Sequence, residues 1–323
     1  MIRQTNLANT LDLAADKTRY DACAKKLLSY KGIIAWILKC CTKEFAPYSV
    51  QYICDNCLRE NAEIAAHAVH QDHKGMMNGD CRIEGLNTEE NAISENTVYY
   101  DVRFRAFLPE NDEFVKFIVN LEIQLNDTPG YPLVMRGFYY CARMISDQYG
   151  TVFFGEQYGK IQKVYSIWIC PDPAQRRRNS IFRYYIAEDE VAGKSYVSSQ
   201  SYDLMEVLIL NLGDAKEESQ WKVMDLLNML FSVTIAPEVK KKRLSDDFSI
   251  AMTVELEQEV NDMCNLSQGI VEYGIEQGEL KKAKEVVFSL AGMGMTAEKI
   301  AEAVQVSVKL VQEWLISEEK AVK

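Results

Sequence analysis

The sequence predicts an α/β protein, with strands in the middle of the chain and helices before and after them. Two strands are expected at residues 97–108 and 114–125, joined by the short linker PENDE. A third is expected at residues 164–170, where VYSIWIC is rich in β-branched and aromatic residues, as is typical of a buried strand. Because apolar residues at helical spacing dominate both ends of the chain, the sheet is expected to have helical flanks.

The helical segments follow from apolar residues that recur every three or four positions. One or two helices are expected between Tyr20 and Glu44, where the chain reads AKKLLSYKGIIAWILK. Residues 131–150 predict a helix that ends at Gly150. Beyond about Tyr202 the pattern predicts helix almost to the end of the chain.

Composition and charge limit the classes of function. The chain has 323 residues, of which 48% are hydrophobic and 26% charged, as is typical of a globular protein. Its net charge of −11 argues against a general binder of polyanions. No apolar segment is long enough to span a bilayer, and the N-terminus lacks the apolar core of a secretory signal. We therefore expect a cytoplasmic protein with no membrane partner, whose nine cysteines are thiols.

The first two strands can be aligned from their apolar alternation. If the apolar faces coincide and the turn lies in PENDE, the residue numbers of paired residues sum to about 223. Val102 is then expected opposite Leu121, and Asp101 opposite Glu122. Opposed residues have Cβ atoms roughly 4.5–5.5 Å apart, so these two like charges need a neutralising partner. A divalent cation is the usual partner of such paired carboxylates.

Two explanations of this polar face are open at the level of sequence. Glu122 and Gln124 lie two residues apart on one strand and therefore share a face. On one explanation the strand is a half-exposed edge, and Arg103 and Arg105 neutralise the acids in an ordinary surface network. On the other, these residues belong to a metal-dependent site.

These motifs resemble the PD-(D/E)XK nuclease superfamily, and more closely the nuclease-family transposases related to recombination-promoting nucleases. The resemblance rests on the aspartate of YYDVRF, on NLEIQ in place of the (D/E)XK motif, and on RGFYYCARMI and VYSIWIC after it. It also includes YDACAKKLLSYKGIIAWILK and MCNLSQGIVEYGIEQG, and so covers roughly residues 19–278. It implies a restriction-endonuclease-like core, a mixed sheet flanked by helices, over residues 19–235. A helical connector over 236–270 and a helix-turn-helix-like element over 271–317 would follow.

The resemblance also assigns a role to each motif residue. Asp101 and Glu122 would bind Mg²⁺, for which Mn²⁺ can substitute, beside the backbone carbonyl of Ile123. Gln124 takes the place of the motif's lysine, and its amide can orient a water but carries no charge. The implied function is Mg²⁺-dependent endonucleolytic cleavage of DNA, linked to mobile elements or recombination. The alternative is a catalytically degenerate relative that binds DNA or a protein partner without cleaving.

Basic residues supply the candidates for substrate binding. The candidates are Arg136, Tyr140, Arg143, Arg176, Arg177 and Arg178. The first three form one stripe of a helix, which either grips phosphate or covers the sheet and pairs with acids. The other three, with Arg183 nearby, lie in PAQRRRNSIFRYY, which either tracks a DNA backbone or is a solvated loop.

Many superfamilies of this fold add an acid from the first helix, for which Glu44 is the first candidate, followed by Asp21 and Glu95.

A cysteine–histidine cluster raises the question of zinc. CDNC contains Cys54 and Cys57, and HAVHQDH contains the three histidines of the chain, His67, His70 and His73. Only nine residues separate Cys57 from His67, whereas zinc sites usually have about a dozen or more between the ligand pairs. No hairpin-and-helix pattern surrounds them, so we do not expect structural zinc.

The C-terminal segment GMTAEKIAEAVQVSVKLVQEWL has the pattern of a helix-turn-helix, with Thr296 and Ser307 as helix caps. Its second helix offers Lys309 as the only basic residue, whereas operator binding needs several phosphate contacts. We expect either a packing element or a dimerisation element, and the second case would make the protein a homodimer. The alternative is a DNA-binding regulator that works through these helices.

Overall fold

The computed structural model describes residues 18–58, 89–90, 98–110, 113–124, 129–217 and 219–321. These residues fall into two compact units, Thr18–Cys264 and the part of the chain from Asn265 onward. Over this described part, no helix is both long and apolar enough to cross a membrane.

The first unit contains the strands. They are β1 (Glu89–Glu90), β2 (Val98–Tyr99), β3 (Val102–Glu110), β4 (Glu113–Ile123), β5 (Lys163–Cys170), β6 (Ser180–Tyr185) and β7 (Met205–Asn211). Its helices are α1 (residues 18–28), α2 (Lys31–Cys41), α3 (Val50–Tyr52), α4 (Leu133–Ser146), α5 (Lys222–Phe231) and α6 (Pro237–Asp246). A π-helical segment, Ile53–Cys57, continues α3. The sequence predicts one or two helices before Glu44, and the structure has two, α1 and α2.

A five-stranded mixed sheet forms the centre of this unit, in the order β3-β4-β5-β7-β6. The hairpin β3–β4 is antiparallel, β4, β5 and β7 are parallel, and β6 pairs antiparallel with β7 at the far edge. Helix α4 packs on β5 and β7, where its buried face joins a cluster that includes Cys141, Met144 and Trp168. A mixed sheet flanked by helices confirms the α/β class.

The hairpin has the predicted register. Val102 pairs with Leu121 and Phe104 with Val119. The strand predicted at residues 97–108 is nevertheless interrupted, because β2 pairs with β1 and β3 begins only at Val102. Strand β4 lies between β3 and β5, and the side chain of Glu122 is buried. The explanation of β4 as a half-exposed edge strand is therefore wrong.

Two strands of the five-stranded sheet, and the short β1 outside it, were not predicted. Residues 205–211, expected to be helical, form β7, and β6 lies in a segment considered only as a basic patch or solvated loop. The run MEVLILN is nearly continuous in apolar residues, and such a run does not distinguish a buried strand from a buried helix by its periodicity. Pairing with β5 on one side and β6 on the other decides the outcome.

The second unit is helical. It contains the end of α7 (Val254–Gly292), α8 (Ala297–Ala303) and α9 (Val308–Ala321). Val287, Ile300 and Val311, one from each of these helices, are buried together. The Ser307 hydroxyl accepts from the backbone N–H of Leu310 at 3.2 Å, as expected of a helix cap. The packed helices have the predicted helix-turn-helix pattern, and their function stays a prediction.

Candidate metal centre at the carboxyl edge of the sheet

Strands β4 and β5 run in parallel and end together, next to the candidate residues. Glu122 is in register with Trp168, and the backbone N–H of Gln124 donates to the carbonyl of Ile169 at 2.8 Å. In open α/β sheets, ligands bind outside the carboxyl ends of the strands. Helix α1, the residue before β3, the end of β4 and the first turns of α4 supply the side chains at this edge.

Asp101 and Glu122 are held together by crossed hydrogen bonds. The backbone N–H of Asp101 donates to Glu122 Oε1 at 3.1 Å, and the backbone N–H of Ile123 donates to Asp101 Oδ2 at 2.9 Å. Each carboxylate is thus oriented by a peptide group of the neighbouring segment. The predicted juxtaposition of these two acids is confirmed.

The protein environment opposes the negative charge of this pair. Burial raises the pKa of Glu122 well above its usual range, and the charge of Asp101 raises it further. Burial also raises the pKa of Asp101, against the opposing effect of Lys25. Perturbed carboxylates at the edge of a sheet are typical of functional sites.

Helix α1 contributes a cation and a third acid. The Lys25 ammonium lies 2.9 Å from Asp101 Oδ1 and 2.6 Å from Asp21 Oδ2. Sequence reasoning did not single out Lys25. The i, i+4 spacing of Asp21 and Lys25 in YDACAKK could have indicated the pair on one helix turn, but not that it meets Asp101. Of the two arginines expected to neutralise the acids, Arg103 donates to Asp147 at 2.6 Å.

Glu44, the first candidate for an additional acid, is not at this site. Its carboxylate lies 2.9 Å from the ammonium of Lys163, the first residue of β5, and it also accepts from the Tyr165 hydroxyl. Lys163 is level with Phe117, five residues before Glu122 on β4, which corresponds to roughly 16 Å along the strand. Asp21 takes the place expected of Glu44, and Glu95 lies outside the described residues.

Helix α4 brings Arg136 to the acids. Its guanidinium donates to the Tyr140 hydroxyl, at 2.6 Å from Nη2, and its Nη1 lies 3.5 Å from Gln124 Oε1. The guanidinium also lies over the Trp168 ring, 5.0 Å from its centroid, which is a favourable cation–π arrangement. The charge of Arg136 offsets part of the increase that burial and Asp101 cause in the pKa of Glu122. Arg143, in the last turn of the helix, is buried and lies about 10 Å further along the axis.

The arginine loop, residues 171–179, follows β5 at the same edge of the sheet. Arg176 and Arg177 lie in a short 3₁₀ helix, and the exposed Arg178 pairs with Asp172 at 3.1 Å. Arg183 has a different environment from these three, since it lies on β6 and pairs with the buried Glu206 at 3.3 Å. It therefore belongs with Lys163 rather than with the arginine loop.

The donor set fits a hard divalent cation held partly by water. Within the described ranges, no three His, Cys, Asp or Glu side chains form a cluster that could hold a metal. Asp101 and Glu122 nevertheless present two oriented carboxylates, and Mg²⁺ is usually bound through one or two carboxylates together with waters. The mutual repulsion of these buried acids is the feature that a cation would relieve.

Only the two cysteines of the cysteine–histidine cluster lie within the described residues. Cys54 and Cys57 lie in the π-helical segment, where the Cys54 thiol contacts the carbonyl of Lys31 at 3.6 Å. His67, His70 and His73 belong to residues that the structure does not describe. The described cysteines carry thiols, as the sequence predicted.

Comparison with family models, curated proteins and solved structures finds no match for this chain.

Proposed function

We propose that this chain is a Mg²⁺-dependent DNA endonuclease of the PD-(D/E)XK type. The observation that supports it is the buried Asp101–Glu122 pair, fixed by crossed hydrogen bonds at the carboxyl edge of the sheet. A buried carboxylate pair lowers the stability of the folded protein unless it binds a cation. Residues that lower stability in this way are expected where they serve chemistry. A link to mobile elements or recombination rests on the sequence resemblance.

The residues around the pair supply the remaining functions of a phosphodiesterase site. Asp101 and Glu122 would hold the cation, with the carbonyl of Ile123 as a third ligand. When bound, Mg²⁺ supplies Lewis-acid chemistry, acidifying a water and polarising the scissile phosphate. Gln124 orients the attacking water through its amide, and Arg136 binds phosphate oxygens through its planar guanidinium.

Surfaces beside the site fit nucleic acid. The arginine loop supplies positive charge in a protein whose net charge is −11, so DNA would be attracted locally rather than by the protein as a whole. On the outer face of α4 and just before it, Tyr131, Met135 and Tyr139 are exposed. Met135 and Tyr139 lie one turn apart on α4, and unpaired bases could stack on the exposed tyrosine rings.

A degenerate protein that binds DNA without cleaving it is the second candidate. Two observations favour it. Gln124 lacks the charge of the motif's lysine, and the ammonium of Lys25 already neutralises Asp101. Such a protein would keep the arginine loop and its affinity for DNA while losing metal-dependent chemistry.

Nicking of supercoiled plasmid separates these two functions. We expect the purified protein to nick in Mg²⁺ and in Mn²⁺ and to be inactive in EDTA. Asp101→Asn and Glu122→Gln should each abolish nicking, and Gln124→Ala should slow it. Asp247→Asn is the matched control, since Asp247 is an exposed acid that pairs with Arg243 on α6. Nicking that survives Asp101→Asn or Glu122→Gln would contradict the nuclease proposal. DNA binding with no cleavage under either metal would establish the second candidate.

A further inference from the structure

The ammonium of Lys25 occupies one of the two oxygens that Asp101 would offer to a cation. Both oxygens of that carboxylate have partners, since Oδ1 lies 2.9 Å from the Lys25 ammonium and Oδ2 accepts from the N–H of Ile123. The peptide partner is fixed by the pairing of the strands. The ammonium stands at the end of a long, flexible side chain that is 35% exposed, and is therefore the partner that can leave.

The charges at this edge indicate that the Lys25 ammonium would leave Asp101 when a divalent cation binds. When both acids of the pair are ionised, Asp21, Asp101 and Glu122 carry three negative charges, against two positive charges on Lys25 and Arg136. A divalent cation on Asp101 and Glu122 would repel an ammonium a few ångströms away by several kcal/mol on the scale of about 4 kcal/mol per pair of unit charges near a protein surface. Asp21, on the same turn of α1 at 2.6 Å, still attracts the displaced ammonium.

The displaced ammonium has a chemical use at this site. Position 124, where the resemblance places a lysine, holds a neutral amide, so the site lacks the ammonium of the motif. Lys25 reaches the same edge from α1, where its ammonium already contacts Asp101. An ammonium there would stabilise the negative charge that develops on phosphate during hydrolysis.

We propose that Lys25 is the counter-ion of the Asp101–Glu122 pair when no metal is bound, and that a divalent cation displaces its ammonium from Asp101 towards the substrate phosphate. This inference rests on the proposed nuclease function. Lys25 thereby both weakens metal binding and promotes cleavage, two effects that a purely structural ion pair would not combine.

Metal affinity and turnover should therefore change in opposite directions. Mg²⁺ and Mn²⁺ are titrated by calorimetry into protein without DNA, and nicking is measured at saturating metal. Lys25→Met is expected to bind either metal at least about tenfold more tightly, and to nick at least about tenfold more slowly. Lys25→Arg keeps the charge and should bind metal as wild type does. Lys26→Met is the matched control, because Lys26 is adjacent on α1 but pairs with Glu259 at 3.2 Å, and it should change neither quantity.

The outcomes distinguish this inference from the function on which it rests. If Lys25→Met binds metal no more tightly than wild type while wild type and Lys26→Met both bind and nick, Lys25 is not the counter-ion and the nuclease function stands. Tighter binding with undiminished nicking refutes its role towards phosphate. If wild type binds no metal, both proposals fail together. Should Lys25→Met not fold, Lys25→Gln, which retains donors for the carboxylates, replaces it.

Discussion

Glu122 is a carboxylate that is only 3% exposed and lies next to a second carboxylate. A residue in this position is expected to lower the stability of the metal-free protein, because burial and like charge both disfavour its ionised form. Natural sequences depart from stabilising choices mainly at functional sites. The fold partly stabilises these two acids, since a peptide N–H donates to each carboxylate and holds it in place.

Replacing Glu122 with glutamine should therefore stabilise the metal-free protein at neutral pH. The amide keeps the acceptor for the N–H of Asp101 and has no acidic proton, so it avoids the cost of keeping a carboxyl group buried at neutral pH, and we expect the free energy of unfolding to rise by about 1 kcal/mol. Denaturant unfolding in EDTA at pH 7 measures the difference. Added Mg²⁺ should stabilise wild type and leave Glu122→Gln unchanged, because only wild type retains both carboxylates.

The pH dependence of this difference has a defined sign. The pKa of Glu122 is raised above its ordinary value of 4.5 in the folded protein, so the folded state binds more protons than the unfolded state above that pH. The stability contributed by the protonated acid is fully present below pH 4.5 and is lost as pH rises through the folded pKa. The advantage of Glu122→Gln should thus vanish near pH 4.5 and grow towards pH 7. An advantage that does not change with pH would contradict this explanation.

At the scale of elements, the close approach of α4 to the sheet sets the position of Arg136. Gly137 makes this approach possible, since a Cβ at this residue would lie 2.4 Å from Val207 Cγ1 and 3.2 Å from Trp168 Nε1. Protein interiors resist added volume of this kind. The glycine thus fixes how closely the first turns of α4 lie against β7, and with them the guanidinium that faces Gln124.

Gly137→Ala should move α4 away from the sheet and so disturb Arg136. We expect a loss of about 1–3 kcal/mol in the free energy of unfolding, with slower nicking in whatever fraction remains folded. Thermal unfolding and the plasmid assay measure the two effects. Gly278→Ala is the matched control, because Gly278 also lies in a helix but has no atom within 4 Å of its added Cβ. There alanine should leave nicking unchanged and stabilise the helix by up to about 1 kcal/mol. Equal behaviour of the two variants would show that the packing of α4 does not matter to the site.

At the scale of the whole molecule, net charge and the proposed substrate are opposed. A protein of charge −11 repels DNA at long range, so association depends on the arginine loop at the edge of the sheet. This arrangement predicts binding that is weak without the local contacts and strongly dependent on salt.

Changing Arg176 and Arg178 to alanine should weaken DNA binding and reduce its salt dependence. Each lost phosphate contact lowers the slope of log affinity against log salt by about one. Fluorescence anisotropy with a labelled duplex over a range of salt concentrations measures both quantities. Arg243→Ala is the control, since Arg243 is an arginine of α6 that pairs with Asp247 at 2.9 Å. If the double variant keeps the slope of wild type, DNA does not contact the arginine loop.

The sequence by itself determined the features that depend on near neighbours and on alternation. The register of β3 and β4 follows because only one pairing buries both apolar faces, and this pairing places Asp101 beside Glu122. The continuous run of β5 and the helices α1, α2 and α4 were predicted for the same reason. The predicted end of α4 was four residues too late. The helix ends at Ser146, and Gly150, at φ +83°, turns the chain beyond it.

The tertiary structure alone decided which distant segments meet. MEVLILN became β7 because it pairs between β5 and β6, and no local pattern separates that outcome from a buried helix. Glu44 and Asp21 are both acids of the first helical region, yet Asp21 reaches the site through Lys25, while Glu44 binds Lys163 at the amino end of β5. The sequence pattern does not show which of these charged residues meet. Ion pairs between segments far apart in the chain are selected by how the helices dock on the sheet.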